Sequence, residues 1–289
     1  MFTDEPVTPV RLETLLDLMR NTTSRKVDRR MLIEMLQPDG LVNMDTDRVQ
    51  AKRTIKAASE LGLMKKEDED TYARLTFNRK DERTTRQIVL GAIDSIVLSD
   101  TRVEPYFALF YSYLLSLNAE GVIKKTNDEW ARDFERYVQG GQRSDNPFNK
   151  DKLAGLYRWM TYAGLGWFDA NEVFQPNPYE RLQRSLTMIF AGETKLTGEA
   201  FMQRMAVVCP ELDGGVIFQQ ACGSRSDYKE THVCTLGLSH ALIDLHQDDI
   251  IRLYCPRDSR GWSIEAAEPP SDESLQSARI DTIELAKVT

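Results

Sequence analysis

The chain has 289 residues, 37 of them basic and 45 acidic, for a formal charge of −8, and 41% are apolar. That balance supports a buried core and excludes a disordered chain, and its acidic sign excludes a globally basic, histone-like binder. The most apolar stretches, residues 88–98 and 106–117, contain Asp94, Ser95, Ser112 and Ser116 and fall short of the roughly 20 residues that a membrane helix needs.

The length predicts about two domains, or three small ones. The opening Met-Phe-Thr-Asp-Glu-Pro has neither the basic nor the apolar region of a signal peptide. All four cysteines lie after residue 208, too few for a disulfide scaffold at this size, so a cytoplasmic location is expected.

A helix is predicted to begin at Thr8-Pro9, a hydroxyl cap followed by proline at the first helical position. Val10, Leu12, Leu15, Leu16 and Met19 follow at helical spacing. A second helix begins near Asp28, carries Met31, Leu32, Met35 and Leu36, and stops at Pro38-Asp39-Gly40. A third starts near Asp45 or Thr46 and ends at Leu61, with Gly62 placed for a left-handed cap. Its inward positions are Val49, Ile55, Ala58 and Leu61. Two strands, residues 63–66 and 71–77, flank the turn Glu67-Asp68-Glu69-Asp70. Three helices and a hairpin make the winged-helix order, a variant of helix-turn-helix.

The pattern returns. Residues 149–163 form an amphipathic helix with Leu153, Leu156, Trp159 and Met160 inward, stop at Gly164, and lead into strands 165–168 and 172–175. Glu-Leu-Gly-Leu-Met at 60–64 is echoed by Ala-Gly-Leu-Gly-Trp at 163–167. A third copy has helices near 179–190, 197–208 and 236–247, a strand at 250–255 and a return strand at 262–265. Repetition of one supersecondary unit suggests a tandem array. Between the first two copies the chain is mostly helical. Its aromatic residues Tyr106, Phe107, Phe110, Tyr111 and Tyr113 suit a buried face better than a base-stacking surface, because few cations interleave with them. Residues 140–147 are the best linker candidate. From Glu265 onward six acids and two bases read as a solvated tail, or as a docking segment through Leu275, Ile280, Ile283 and Leu285.

The reading is a mostly α protein with small β-hairpins (α+β), built of tandem winged-helix modules linked by a helical segment. The expected divisions are an N-terminal winged helix at 1–80, a helical segment with a middle winged helix at 81–178, a C-terminal winged helix at 179–268, and an acidic tail at 269–289.

The chemistry concentrates in the third helix. Arg48, Lys52 and Lys56 fall at i, i+4 and i+8, with Gln50 and Arg53 beside them. A helix entering a major groove needs cations for phosphates and guanine and amides for adenine. Arg25, Lys26, Arg29 and Arg30 could grip the flanking backbone. Residues 1–66 hold twelve basic and ten acidic residues in a chain that is acidic as a whole, and local potential governs binding. A solvated helix face explains the same residues, and the four acids at 67–70 would repel phosphate if that turn approached it. Double-stranded DNA is therefore one expected partner and a protein is the other.

In the third copy, His240, Asp244, Gln247, Asp248 and Asp249 make a poor phosphate surface, despite Arg257 and Arg260 in the turn. Cys209, Cys222, His232, Cys234, His240, His246 and Cys255 lack the tight ligand pairs of a zinc site, so no metal and no cofactor is expected. No phosphate loop, dinucleotide fingerprint or nucleophile elbow occurs, and all three histidines lie between 232 and 246. The expectation is a protein that is not an enzyme.

The stretch from Thr-Pro-Val-Arg-Leu-Glu-Thr-Leu-Leu-Asp-Leu-Met through Glu-Leu-Gly-Leu-Met, residues 8–77, resembles the DpdG-type protein of the 7-deazaguanine DNA-modification island. More broadly, the repeated units resemble multi-winged-helix accessory proteins of bacterial phage-defence islands. A second resemblance is to the kleisin-binding, MukE-like tandem winged-helix subunits, which hold protein. The basic stripe on the third helix motivates a DNA-binding accessory factor of a bacterial defence or DNA-modification system; the charge of −8, the acidic turn and the acidic tail motivate instead a subunit that docks an ATPase, helicase or nuclease. A homo-oligomer is a further expectation.

Overall fold

The structure, a computed structural model, describes residues 2–3, 7–22, 26–39, 47–74, 81–100, 104–117, 125–138, 148–223, 232–265 and 277–286. The fold is α+β, mostly helical with small antiparallel strand pairs. By its contacts the chain forms two compact units, Met1–Glu104 with Asp151–Trp159, and Pro105–Lys150 with Met160–Thr289. This division differs from the expected one: residues 151–159, read as part of a middle module, belong with the first unit. The expected linker at 140–147 lies outside the described residues.

In the first unit, α1 (Pro9–Asn21) starts where Thr8 Oγ accepts the Arg11 N–H at 3.3 Å. A strand absent from the sequence reading, β1 (Lys26–Asp28), runs directly into α2 (Arg29–Leu36), which Asp28 caps through the Met31 N–H at 2.9 Å. Asp28→Ala removes that acceptor and is expected to cost about 1 kcal/mol, measurable as a lower urea midpoint. Then come α3 (Val49–Glu60), β2 (Met64–Lys66) and β3 (Thr71–Arg74). β3 lies between β1 and β2, antiparallel to both. Helix α3 begins three or four residues later than the spacing predicts, and positions 75–77 of the predicted hairpin lie outside the described residues.

The core of this unit is Leu12, Leu15, Leu16 and Met19 from α1, Leu32 and Ile33 from α2, and Ala51, Ile55 and Ala58 from α3. Val10, Met31 and Met35, which periodicity assigns to the apolar faces, are exposed. Helix α4 (Thr85–Ala92) begins with a capping box between Thr84 and Gln87 and continues as a π-helical turn, Ile93–Val97. Trp159 also belongs to this core. Its ring stacks on Phe2 at 4.2 Å, and its Nε1 donates to the Val7 carbonyl at 3.1 Å.

The second unit contains α5 (Pro105–Leu115), α6 (Asn127–Val138), the end of α7 (Lys150–Tyr162), and a two-stranded hairpin, β4 (Gly166–Phe168) with β5 (Phe174–Pro176). Phe107, Phe110, Tyr111 and Tyr113 are buried, with Phe110 edge-on to Phe134 at 5.1 Å. These aromatics form core, not a stacking platform. Next come α8 (Tyr179–Phe190), β6 (Lys195–Thr197), α9 (Gly198–Val208), α10 (Val216–Cys222), α11 (Leu236–Gln247) and β7 (Ile251–Tyr254), then β8 (Trp262–Ser263), β9 (Arg279–Ile280) and β10 (Thr282–Leu285).

The C-terminal sheet departs from expectation. Trp262–Ser263 does not return to β7 but pairs with β9. The strand that pairs with β7, and with β6 on its other edge, is β10. The residues read as an acidic tail therefore supply the central strand, in which Ile283 is fully buried, while Asp281 just before it is exposed and Glu284 accepts from the Tyr254 hydroxyl at 3.3 Å. The two three-stranded sheets share one plan: a strand running straight into a helix, a strand following a later helix, and the last strand in the middle.

Three helix ends share a cap. Gly62, Gly164 and Asp249 sit at φ +61, +68 and +52. The next amide in each case (Leu63, Leu165 and Ile250) donates back to Ala58, Met160 and Leu245 at 2.9–3.0 Å, the hydrogen bonding of a Schellman end.

Two buried polar groups organise the second unit. Arg181 donates to Glu211 at 2.8 Å, to Ser185 Oγ at 2.6 Å and to the Val208 carbonyl at 3.2 Å. Asp213 accepts from the Thr235 amide at 2.7 Å and hydroxyl at 2.9 Å, holding the residue that caps α11. Burial pushes the Asp213 carboxyl up to about 6 in spite of those bonds. Because the folded state then binds the proton more tightly than the unfolded chain, the Asp213 contribution to stability is present below the ordinary carboxylate range and lost as pH rises through about 6. Thermal melts of the parent and Asp213→Asn across this window are expected to differ in slope, with the parent's Tm falling relative to the variant's as pH rises.

Candidate nucleic-acid interface

Helix α3 forms because Ala51, Thr54, Ile55, Ala57 and Ala58 bury one side, and the same spacing puts Lys52, Arg53 and Lys56 on exposed positions. Arg29, the first residue of α2, and Lys66, the last of β2, face the same space. These five cations border a groove of about 460 Å³ whose other lining residues are Val49, Ile55, Ser59 and Tyr72. Lys66 and Tyr72 stand directly opposite each other across the hairpin.

Four of the seven predicted contact residues thus meet: Arg29, Lys52, Arg53 and Lys56. Arg48 does not join them. It is the N-cap of α3 at φ +51, and its guanidinium pairs with Asp39 and lies 3.9 Å from Glu34. With only 19% of its side chain exposed, Arg48 ties the start of α3 to Glu34 of α2 and to Asp39 instead of extending the basic stripe. Arg30 is exposed but pairs with Glu34 at 3.2 Å and does not line the groove, and Gln50 is half-buried and outside it. Arg25 lies outside the described residues. Lys56 comes within 3.7 Å of Glu60, an exposed pair that water and salt weaken. The sequence reading missed Lys66 and Tyr72; the signal available was Lys65-Lys66 immediately before the acidic turn.

That turn is ordered. Asp68 accepts the Asp70 amide at 2.9 Å and the Thr71 hydroxyl at 2.6 Å. The Thr71 bond, then the Asp70 bond, hold its carboxyl below the usual range. The Asp70 carbonyl accepts the Arg29 amide at 2.6 Å, and Glu67 lies 3.6 Å from Lys26. All four acids are exposed, so the turn that follows Lys66 is negatively charged.

A cavity in the second unit has the opposite sign. It measures about 510 Å³ beside the end of α11 and is lined by Glu180, Asp244 and Asp248, with Asn177, Tyr179 and Trp167 among its other residues. Asn177 donates to Asp244 at 3.0 Å and Tyr179 to Asp248 at 2.5 Å. Desolvation first, then the Asp248 bond, raise the Tyr179 hydroxyl to about 12. His240 is exposed on the same helix. The four cysteines are buried. Burial pushes the Cys234 thiol well up and the Cys255 thiol to about 12. Among the described residues, no three of His, Cys, Asp or Glu are grouped as metal ligands, and no helix is long and apolar enough to cross a membrane.

Comparison with known families matches the DpdG-like family over residues 2–259. The chain belongs to the DpdG-like family. Membership implies an accessory protein of a bacterial defence or DNA-modification island. The match takes in the basic groove and the α11 region, and ends before β10. No curated protein and no solved structure matches the chain, and the kleisin-binding resemblance gains no support from these comparisons.

Proposed function

We propose that this DpdG-like protein is a DNA-binding accessory factor without catalysis of its own, and that residues 9–74 act as a winged helix. The order α1, β1, α2, α3, β2, β3 with the last strand central supports the fold reading. The observation that carries the functional one is the ring of Arg29, Lys52, Arg53, Lys56 and Lys66, with no carboxylate among the residues lining the groove. Phosphate contacts from such a ring position DNA without reading its bases, so affinity exceeds sequence preference. Double-stranded DNA is the expected partner. In fluorescence anisotropy with the full chain and a labelled duplex, affinity falls steeply as salt rises. Absence of binding at low salt overturns the proposal.

A second reading is favoured by the acidic cavity of the second unit. Glu180, Asp244 and Asp248 repel phosphate, so that unit serves a protein partner (an ATPase, helicase or nuclease of the same system) and the whole chain acts as an assembly subunit. Co-purification of such a partner after nuclease treatment supports this role, and a chain that remains alone beside its co-expressed neighbours contradicts it.

A further inference from the structure

We infer that the groove beside α3 receives a single unpaired nucleotide, so that the protein prefers DNA with a frayed or single-stranded end to an uninterrupted duplex. The inference rests on the DNA-binding reading and narrows it.

Three features argue for this ligand. The first is size and shape: about 460 Å³ is in the range of small-molecule sites, roughly 300–1,000 Å³, and is a recess bounded by a helix and a hairpin. A duplex presents a broad anionic surface to a convex helix; a recess accepts one unit of it. The second is lining chemistry. The interior is apolar, made by Val49, Ile55 and Tyr72, and the cations stand around it. A flat, weakly polar body with negative charge at its edge complements that arrangement, and a nucleotide has this form: the base settles against the apolar floor and the flanking phosphates reach the lysines and arginines. A bare phosphate or sulfate would satisfy the cations and leave the floor empty.

The third is the acidic turn that follows Lys66. Glu67 follows Lys66 directly, and the Asp70 carbonyl holds the Arg29 amide. The anionic footprint the site tolerates is therefore narrow on that side. Continuous duplex laid across the groove would bring phosphates against Glu67, Asp68, Glu69 and Asp70, all exposed. One nucleotide keeps its charge inside the cationic ring.

The test compares three labelled DNAs with the full chain at one salt concentration: a blunt duplex, the same duplex with a short thymidine overhang, and the overhang strand alone. The overhang is expected to bind at least about tenfold tighter than the blunt duplex, the effect of one well-held base. Ser59→Trp fills the recess without changing charge, and the Ser59 hydroxyl it removes only donates to the Ile55 carbonyl within the helix at 3.2 Å. The variant is expected to erase the overhang preference, so that the overhang and the blunt duplex bind it with equal affinity. Val49→Trp, which fills the recess from the start of α3, repeats the test should Ser59→Trp fail to give a parental circular-dichroism melt. A blunt duplex bound as tightly as the overhang, or a preference that survives both tryptophans, overturns this inference and leaves the DNA-binding reading standing. Failure of all three DNAs to bind overturns both.

Discussion

Reversing two charges, Lys52→Glu with Lys56→Glu, weakens DNA binding by at least about tenfold and lowers the slope of log affinity against log salt by about 2 units. Both side chains are exposed one turn apart on α3 and border the groove, so the change removes phosphate partners without touching the core. An unaltered circular-dichroism melt confirms the fold, and anisotropy titrations at several salt concentrations give the slope. Arg48→Ala is the matched control. Its guanidinium already holds Asp39 and approaches Glu34, so its loss leaves DNA affinity within about twofold. An Arg48 effect as large as that of the double lysine variant would mean that the stripe, and not the groove, binds.

The largest stability effect is expected at the buried ion pair. Arg181 and Glu211 have side chains 1% and 0% exposed, so Arg181→Met leaves a carboxylate buried without its counter-charge. The cost is about 3–5 kcal/mol, read as a fall in the urea midpoint. Replacing both partners, Arg181→Met with Glu211→Leu, removes the stranded charge and recovers most of the loss. If the double variant is as unstable as the single one, the hydrogen bonds from Arg181 to Ser185 and Val208 dominate over the ion pair.

Helices with strong local signals were legible in the sequence. Thr8-Pro9 places the start of α1, Asp28 caps α2, and α11 spans the predicted residues 236–247. The helix ends at Gly62 and Gly164 were legible as an echo before their shared hydrogen bonding was visible; the same turn at Asp249 was not, because no glycine marks it. β1 was not, because three residues carrying two charges have no readable period. The central position of β10 was hidden by composition: six acids outweigh two buried isoleucines in any local average, and strand pairing over about thirty residues of chain is a nonlocal fact.

The candidate site was half legible for the same reason. Helical periodicity groups Lys52 and Lys56, and Arg53 comes with them. Arg29, Lys66 and Tyr72 reach the groove only through the tertiary placement of α2 and the register of the hairpin. Arg48 was misplaced because a helical i, i+4 pattern continues on paper past the point where the backbone turns left-handed.

The central claim is that nucleic acid touches the face built by α3 and its hairpin. Ultraviolet cross-linking of the full chain to a labelled oligonucleotide, followed by mass-spectrometric mapping of the adducts, tests it most directly. The account predicts adducts confined to the peptide carrying Arg29 and to peptides within residues 47–74, with Tyr72 among the modified side chains. Adducts concentrated in residues 236–265 instead would contradict it.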